Sequence, residues 1–110
     1  MEDYEIYNID FGKGEGHEQS YQRPAIIFKK VGEVDLYIVI PLTSNMEHLN
    51  LPYTIQINKT HSTNLIENSV TLIFQLRTIG KTRIVGSQIG KIEEYQINKI
   101  KTIIKDMLDL

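Results

Sequence analysis

The chain has 110 residues, with 12 lysines and arginines against 14 aspartates and glutamates, and a net charge of −2 at pH 7. A chain of this length is expected to form one domain over residues 1–110, with a core large enough to fold without cross-links. The slightly acidic balance argues against a protein that coats nucleic acid through clustered basic groups. The lack of cysteine excludes disulfides, thiolate zinc sites and a cysteine nucleophile.

The N-terminal residues do not resemble a secretion signal. They are acidic, Met1-Glu2-Asp3-Tyr4, where a signal needs positive charge followed by an apolar core. No apolar run approaches the length that spans a membrane. We therefore expect a cytoplasmic protein with no membrane partner.

Most of the chain predicts short β-strands. Alternating or continuous apolar residues favour strands at 4–11, 25–28, 36–40, 53–57 and 69–74, then extended pieces at 75–80 and around 84–85. Residues 25–28 and 36–40 are almost wholly apolar, which is typical of central strands, and Val31-Gly32-Glu33 between them predicts an antiparallel hairpin.

From Glu93 onward the apolar spacing changes to three and four residues, which predicts one amphipathic helix. Its apolar stripe consists of Ile97, Ile100, Ile103, Ile104, Met107 and Leu108. The expected fold is mainly β (α+β): five or six short, mostly antiparallel strands form a strongly bent sheet or small barrel, with the C-terminal helix packed on it.

Polar side chains are concentrated just before the strand at 25–28. Glycines at 12, 14 and 16 predict a surface loop over residues 12–22, a type of segment that often carries function. The loop leads into an imidazole, a carboxylate, an amide, a hydroxyl and a guanidinium, on His17, Glu18, Gln19, Ser20 and Arg23. A second polar pair, Thr43-Ser44, follows the strand at 36–40.

Several kinds of catalysis are poorly supported by the sequence. His17, His48 and His61 are far apart and form no zinc-binding motif, so no metal is predicted. There is no Gly-x-Ser-x-Gly nucleophile turn, and neither Lys-Ser/Thr nor a helix follows the glycines. We expect no nucleotide cofactor and no other cofactor.

The remaining residue types suit metal-free cleavage of RNA through its own 2′-hydroxyl. That reaction needs a base, donors for the charged phosphorane oxygens, and an acid for the departing 5′-oxygen. Arg23 suits the donor role because its guanidinium is permanently charged and forked. His17 or Glu18 could be the base, and Thr43 could donate its hydroxyl to the same phosphate.

A set of motifs then resembles a known family. In order these are Asp10-Phe11-Gly12, Gly16-x-Glu18-Gln19, Arg23-Pro24, Pro41-Leu42-Thr43-Ser44, Leu51-Pro52, Ser69-Val70, Gln75-x-Arg77-Thr78-Ile79 and Ile89-Gly90-Lys91-Ile92. Their order and spacing resemble the MazF/PemK family of toxin–antitoxin ribonucleases over essentially the whole chain.

The resemblance implies a small SH3-like barrel of five to seven short, mostly antiparallel strands with a C-terminal helix. It also implies a homodimeric endoribonuclease that cleaves single-stranded mRNA at specific sequences without metal and is inhibited by a cognate antitoxin protein. It places the catalytic arginine at Arg23 and the catalytic hydroxyl at Thr43, and it places Glu18 beside them; from its chemistry we expect Glu18 to be the third catalytic residue. Substrate contacts are expected from His17, Gln19, Ser20, Ser44, Gln75 and Arg77.

This chain departs from the family pattern at two positions. Many relatives carry an acidic residue before the glutamine of Gln-x-Arg-Thr-Ile, and some use it as a base, but this chain has Phe74. An aspartate that often follows Thr-Ile is Gly80 here. The expected proton chemistry therefore depends on residues 16–23.

Other interpretations stay open. Arg23 could simply pair with Glu18, Glu18 could be purely structural, and His17 could be an exposed loop residue. The whole chain could also be a non-catalytic binding module on the same scaffold, either a degenerate ribonuclease or a gyrase inhibitor like the structurally similar CcdB family. The gyrase interpretation is weaker because that family depends on an aromatic C-terminal end, which Asp106 to Leu110 lacks.

Overall fold

The computed structural model describes residues 1–12 and 21–110, which form seven strands, three short 3-10 helices and one α-helix. The strands are β1 (Glu5–Asp10), β2 (Gln22–Lys30), β3 (Leu36–Thr43), β4 (Thr54–Ile57), β5 (Ser69–Leu72), β6 (Arg77–Gly80) and β7 (Ile84–Lys91). The 3-10 helices are Met46–Asn50, Ile73–Gln75 and Lys81–Arg83, and the α-helix, α1, is Glu94–Met107.

All the strand pairs in this part of the chain are antiparallel, and the order across the sheet is β4-β5-β3-β2-β1-β7. Strand β3 is long enough to hold two neighbours on the same side. Its first half pairs with β6, and its end, at Leu42 and Thr43, pairs with β5.

The two faces of the central strands bury different apolar clusters, because successive side chains point to opposite faces. One cluster includes Ile6, Ile26, Ile40 and Leu42, and α1 covers it. The other cluster includes Tyr7, Ile27, Tyr37, Val39 and Ile79. Burial on both faces explains the near-continuous apolar runs in β2 and β3.

Helix α1 begins with a reciprocal capping box. The Glu93 backbone N–H donates to Gln96 Oε1 at 2.7 Å, while the Glu93 side chain accepts from the Gln96 backbone. Ile100 is fully buried against the first cluster, and Ile97, Ile103, Ile104 and Met107 pack around it. The predicted stripe is therefore confirmed except at Leu108, which follows the helix and is 53% exposed.

A loop at residues 58–68 bridges the side of the sheet between β4 and β7. The Thr63 hydroxyl, fully buried, donates to the Asn58 carbonyl at 2.9 Å and accepts from the Thr60 N–H at 2.9 Å. The Lys91 N–H of β7 donates to the Ser62 carbonyl at 3.0 Å. The Thr63 bonds hold the shape of the loop, and the Lys91 bond fastens it to β7. In the described part of the chain the strands themselves do not close the sheet at this side.

The expected fold class is confirmed: seven strands in an antiparallel sheet carry a C-terminal helix, although in the described part of the chain the strands do not close into a barrel. The predicted strand at 69–74 is too long, because it ends at Leu72 and the Leu76 N–H closes a 3-10 turn onto the Ile73 carbonyl. The extended piece predicted around 84–85 is longer than expected and continues to Lys91. Thr43, predicted just after a strand, is the last residue of β3.

None of the helices in the described ranges is both long enough and apolar enough to cross a membrane.

Gly90 allows the closest contact between the 58–68 loop and β7. A Cβ atom there would overlap the Thr63 carbonyl oxygen, which belongs to backbone that cannot easily shift. We expect Gly90→Ala to lower the free energy of unfolding by about 1–3 kcal/mol, the usual cost of overpacking. Urea unfolding monitored by circular dichroism measures the change.

Gly80→Ala is the matched control, since a Cβ at Gly80 meets no heavy atom within 4 Å. Its free energy of unfolding should stay within about 0.5 kcal/mol of the wild-type value. Equal stability of the two variants would contradict the packing of the loop against β7.

Candidate functional site

A cleft of about 670 Å³ opens between the strands and the 58–68 loop. Its two sides come from different parts of the chain. The strand wall comprises Asn8, Tyr21, Gln22, Arg23, Pro24, Leu42, Thr43 and Ser44. The loop wall comprises Asn64, Leu65, Ile66 and Glu67, and Ser69 of β5 and Ile89 of β7 complete the lining.

The pairing of β2 with β3 brings Arg23 and Thr43 to the same wall. The last paired residues are Ala25 and Pro41, and extending this antiparallel register by two residues places Arg23 opposite Thr43. On the other edge of β3, Thr43 pairs with Val70 of β5. The cleft opens at this end of the paired strands.

Arg23 is half-buried, and its guanidinium lies over the Tyr21 ring, 4.2 Å from the ring centroid. This stacking orients the planar fork and leaves its edge for hydrogen bonding. Burial lowers the pKa of Arg23 because the charged form loses water. An anionic ligand would restore the favourable interactions that the cation loses on burial.

Thr43 is positioned to donate a hydrogen bond. Its Oγ1 accepts from the Asn45 N–H at 3.2 Å, which fixes the oxygen and leaves the hydroxyl proton for another acceptor. Ser44 is exposed beside it and offers a second hydroxyl. The strand wall thus combines a forked cation with two hydroxyl groups.

Sequence reasoning did not identify the loop wall. Residues 58–68 form a mostly polar stretch of sequence between β4 and β5, which predicts only a connecting loop. In the structure, hydrogen bonds within this loop hold Asn64, Ile66 and Glu67 at the cleft. The sequence signal that could have indicated the loop wall is the apolar pair Leu65-Ile66 within this polar segment. Leu65 is buried and anchors the loop, whereas Ile66 is 92% exposed.

The predicted site residues divide into three groups. Arg23, Thr43 and Ser44 line the cleft together. His17, Glu18, Gln19 and Ser20 lie outside the described residues. Gln75 and Arg77 are exposed but do not line the cleft, and the Arg77 guanidinium instead lies 5.3 Å from the Phe11 ring centroid.

The described ranges contain no group of three or more histidine, aspartate or glutamate side chains arranged to hold a metal ion. Among residues 1–12 and 21–110, the charged side chains that line the cleft are Arg23 on one wall and Glu67 on the other. Chemically, the strand wall can bind an oxyanion through a guanidinium and hydroxyl groups.

The fold is similar to several solved structures. MazF (Form-I) from Deinococcus radiodurans matches with a TM-score of 0.78 and 18% identity, covering 100% of this chain and 97% of that chain. Mycobacterium tuberculosis toxin MazF-mt6 matches with a TM-score of 0.74 and 19% identity, covering 96% and 97% respectively.

A third similar structure is an endoribonuclease in complex with its cognate antitoxin from a mycobacterial species. It has a TM-score of 0.71 and 19% identity, and the match covers 100% of this chain and 94% of that one. No curated protein sequence matches this chain significantly.

The family model for the PemK-like, MazF-like toxin of type II toxin–antitoxin systems matches residues 2–108. The match spans nearly the whole chain and includes both strands of the Arg23–Thr43 wall and the loop wall opposite. The chain therefore belongs to the PemK-like, MazF-like toxin family.

Proposed function

We propose that this protein is the toxin of a toxin–antitoxin system and acts as a metal-independent, sequence-specific endoribonuclease on single-stranded mRNA. One observation carries the proposal: Arg23 and the Thr43-Ser44 pair, which are distant from each other in sequence, line one open cleft. A guanidinium with adjacent hydroxyls suits the phosphodiester of a chain that can pass through such a cleft.

In the proposed reaction the RNA supplies its own nucleophile. A base removes the proton of the 2′-hydroxyl, and the 2′-oxygen attacks the adjacent phosphorus. The bond from phosphorus to the 5′-oxygen breaks, and that oxygen takes a proton. The products are a 2′,3′-cyclic phosphate, which water can open to a 3′-phosphate, and a 5′-hydroxyl.

Arg23 and Thr43 would act on the charge that develops in this step. The Arg23 fork can donate to the non-bridging phosphate oxygens, and the Thr43 hydroxyl can donate a further hydrogen bond. Because negative charge accumulates on these oxygens in the phosphorane, both interactions strengthen in the transition state. The free-energy cost of burying the Arg23 guanidinium is then offset in the transition state, and this lowers the barrier to cleavage.

We assign the base to Glu18, with His17, Gln19 and Ser20 as further substrate contacts. These roles follow from residue chemistry and from the family pattern, in which Glu18-Gln19 precedes Arg23. Gln75 and Arg77 lie off this cleft, so we propose that they contact RNA beyond the cleaved bond. Their exposure is compatible with that role.

The proposed partners are single-stranded RNA, a cognate antitoxin and a second copy of the chain, in the cytoplasm where mRNA is translated. The solved complex with a cognate antitoxin is a precedent on the same fold. An apolar patch of Leu49, Leu51 and Tyr53, exposed by 37%, 43% and 37%, supports self-association. Thr54 Oγ1 fastens it to β4 by donating to the Leu51 carbonyl at 2.9 Å.

Arg23→Gln should abolish cleavage without weakening the fold. In the wild-type protein, burial lowers the pKa of Arg23, which means that the charged form is less favourable in the folded state than in the unfolded state. At neutral pH, below that pKa, the charged Arg23 side chain therefore destabilises the folded protein. Removing the charge should keep the melting temperature at or above the wild-type value. Cleavage of a long single-stranded RNA in excess EDTA should fall at least about 100-fold, as for loss of an oxyanion donor.

Arg83→Gln is the matched control, because Arg83 is exposed and outside the cleft lining. It should cut the RNA as the wild type does, leaving 5′-hydroxyl ends. Full activity of Arg23→Gln, or dependence of the wild-type reaction on added metal, would refute the proposed mechanism.

Thr43→Val tests the hydroxyl without changing side-chain shape. We expect a reduction of roughly 10- to 100-fold in the single-turnover cleavage rate, since one transition-state hydrogen bond is lost. Thr102→Val is the control, because the Thr102 hydroxyl is exposed on α1 and donates to the Asn98 carbonyl at 3.0 Å. Equal rates for the two variants would remove Thr43 from the mechanism.

Leu51→Asp should convert the dimer into monomers, since a charge would have to be buried in the apolar contact. Sedimentation equilibrium measures the mass of each variant. Leu110→Asp, at a residue 86% exposed at the chain end, should stay dimeric. A dimeric Leu51→Asp would exclude this patch as the interface.

A further inference from the structure

The two walls of the cleft carry opposite charge. Arg23 stands on the strand wall and Glu67 on the loop wall, and both line the same space. Within residues 1–12 and 21–110 the one ion pair joins Lys29 and Asp3 at 3.3 Å, so Arg23 and Glu67 do not form a salt bridge across the cleft. The space between them is open to a ligand.

This separation of charge limits how RNA can lie in the cleft. Phosphates are attracted to the Arg23 wall and repelled by the Glu67 carboxylate. A carboxylate only accepts hydrogen bonds, so the part of RNA that suits it is a base edge carrying donors. The phosphates should therefore lie along the strand wall, with a base turned toward the loop wall.

The loop wall is built to hold such a base. Asn64 Nδ2 donates to the Ile89 carbonyl of β7 at 2.9 Å, and the neighbouring Leu65 is buried. These two contacts hold the loop wall in place. Between these anchors and Glu67, Ile66 is 92% exposed at the cleft. An exposed apolar side chain beside a hydrogen-bond acceptor matches the face and edge of an unstacked base.

We propose that Glu67 is a specificity-determining residue: it accepts hydrogen bonds from the exocyclic amino group of one RNA base, whose face lies on Ile66. The expected bases are cytosine, adenine or guanine, since uracil has no exocyclic amino group. This inference rests on the proposed ribonuclease function. It adds that the loop wall selects the sequence while the strand wall performs the reaction.

A role for Glu67 as the catalytic base is the competing assignment. The base must reach the 2′-oxygen next to the phosphorus that Arg23 binds. Arg23 lies on β2 and Glu67 just before β5, and these two strands pair with opposite edges of β3, which separates the two side chains. A base-reading contact requires that separation, because a base extends away from the phosphate to which its nucleotide is attached. The geometry thus favours base reading.

The test uses a pool of single-stranded RNAs with random internal sequence, incubated with the full-length protein in EDTA. Sequencing of the new 5′-hydroxyl ends gives the base preference at every position around the cut. For Glu67→Gln, which can donate as well as accept, the preference for an amino-bearing base should fall about tenfold at one position. Preferences at the other positions should be unchanged.

Glu33→Gln is the matched control, because Glu33 is exposed in the β2–β3 hairpin and outside the cleft, and it should keep the wild-type pattern. An unchanged pattern for Glu67→Gln would overturn the inference. So would an equal loss of rate at every sequence together with loss of the acidic limb of the pH–rate profile, which would make Glu67 the catalytic base.

The same pool separates this inference from the proposed function. If the wild-type protein cuts none of the RNAs, the ribonuclease proposal fails, and RNAs retained by the protein on a filter are sequenced instead. A preference for an amino-bearing base that Glu67→Gln removes would support Glu67 as a reader. Retention with no such preference, or no retention, would refute it.

Discussion

The pairing of β2 with β3 is the constraint on which the rest of the site depends. These strands are central in the sheet, are buried on both faces, and share a register that ends at Ala25 and Pro41. Because an antiparallel register is fixed by the burial of both faces, a slip of one residue would exchange the two apolar clusters. The position of Arg23 opposite Thr43 is therefore maintained by the core and needs no contact of its own.

The opposite wall depends on a different kind of constraint. Most of it comes from the 58–68 loop, which is held by the buried Thr63 hydroxyl, by the Lys91–Ser62 bond and by the close approach at Gly90. A loop fixed at a few points can change its exposed residues at little cost to the core. This arrangement lets the sequence at Ile66 and Glu67 vary while the strand wall stays the same.

Near-continuous apolar runs predicted β2 and β3, and apolar spacing of three and four residues predicted the helix. Dense polar residues at the strand ends pointed to Arg23, Thr43 and Ser44, which line the cleft, but the sequence did not predict that residues 58–68 line it as well. The docking of that loop depends on its hydrogen bonds to β7, such as Asn64 to Ile89, which local patterns do not encode. Leu108 and the end of β5 were misjudged because apolar character continues past both element boundaries.

Burial of Arg23 shows how stability and function oppose each other at this cleft. Removing water from a guanidinium costs free energy, and the Tyr21 ring at 4.2 Å recovers only part of it. An arginine selected for stability alone would lie on the surface. One that is half-buried, stacked and aimed at an open cleft is better explained by a bound anion that completes its hydrogen bonds. Under the proposed function that anion is the RNA phosphate, held at the Arg23 wall, while a base lies toward Glu67 on the loop wall.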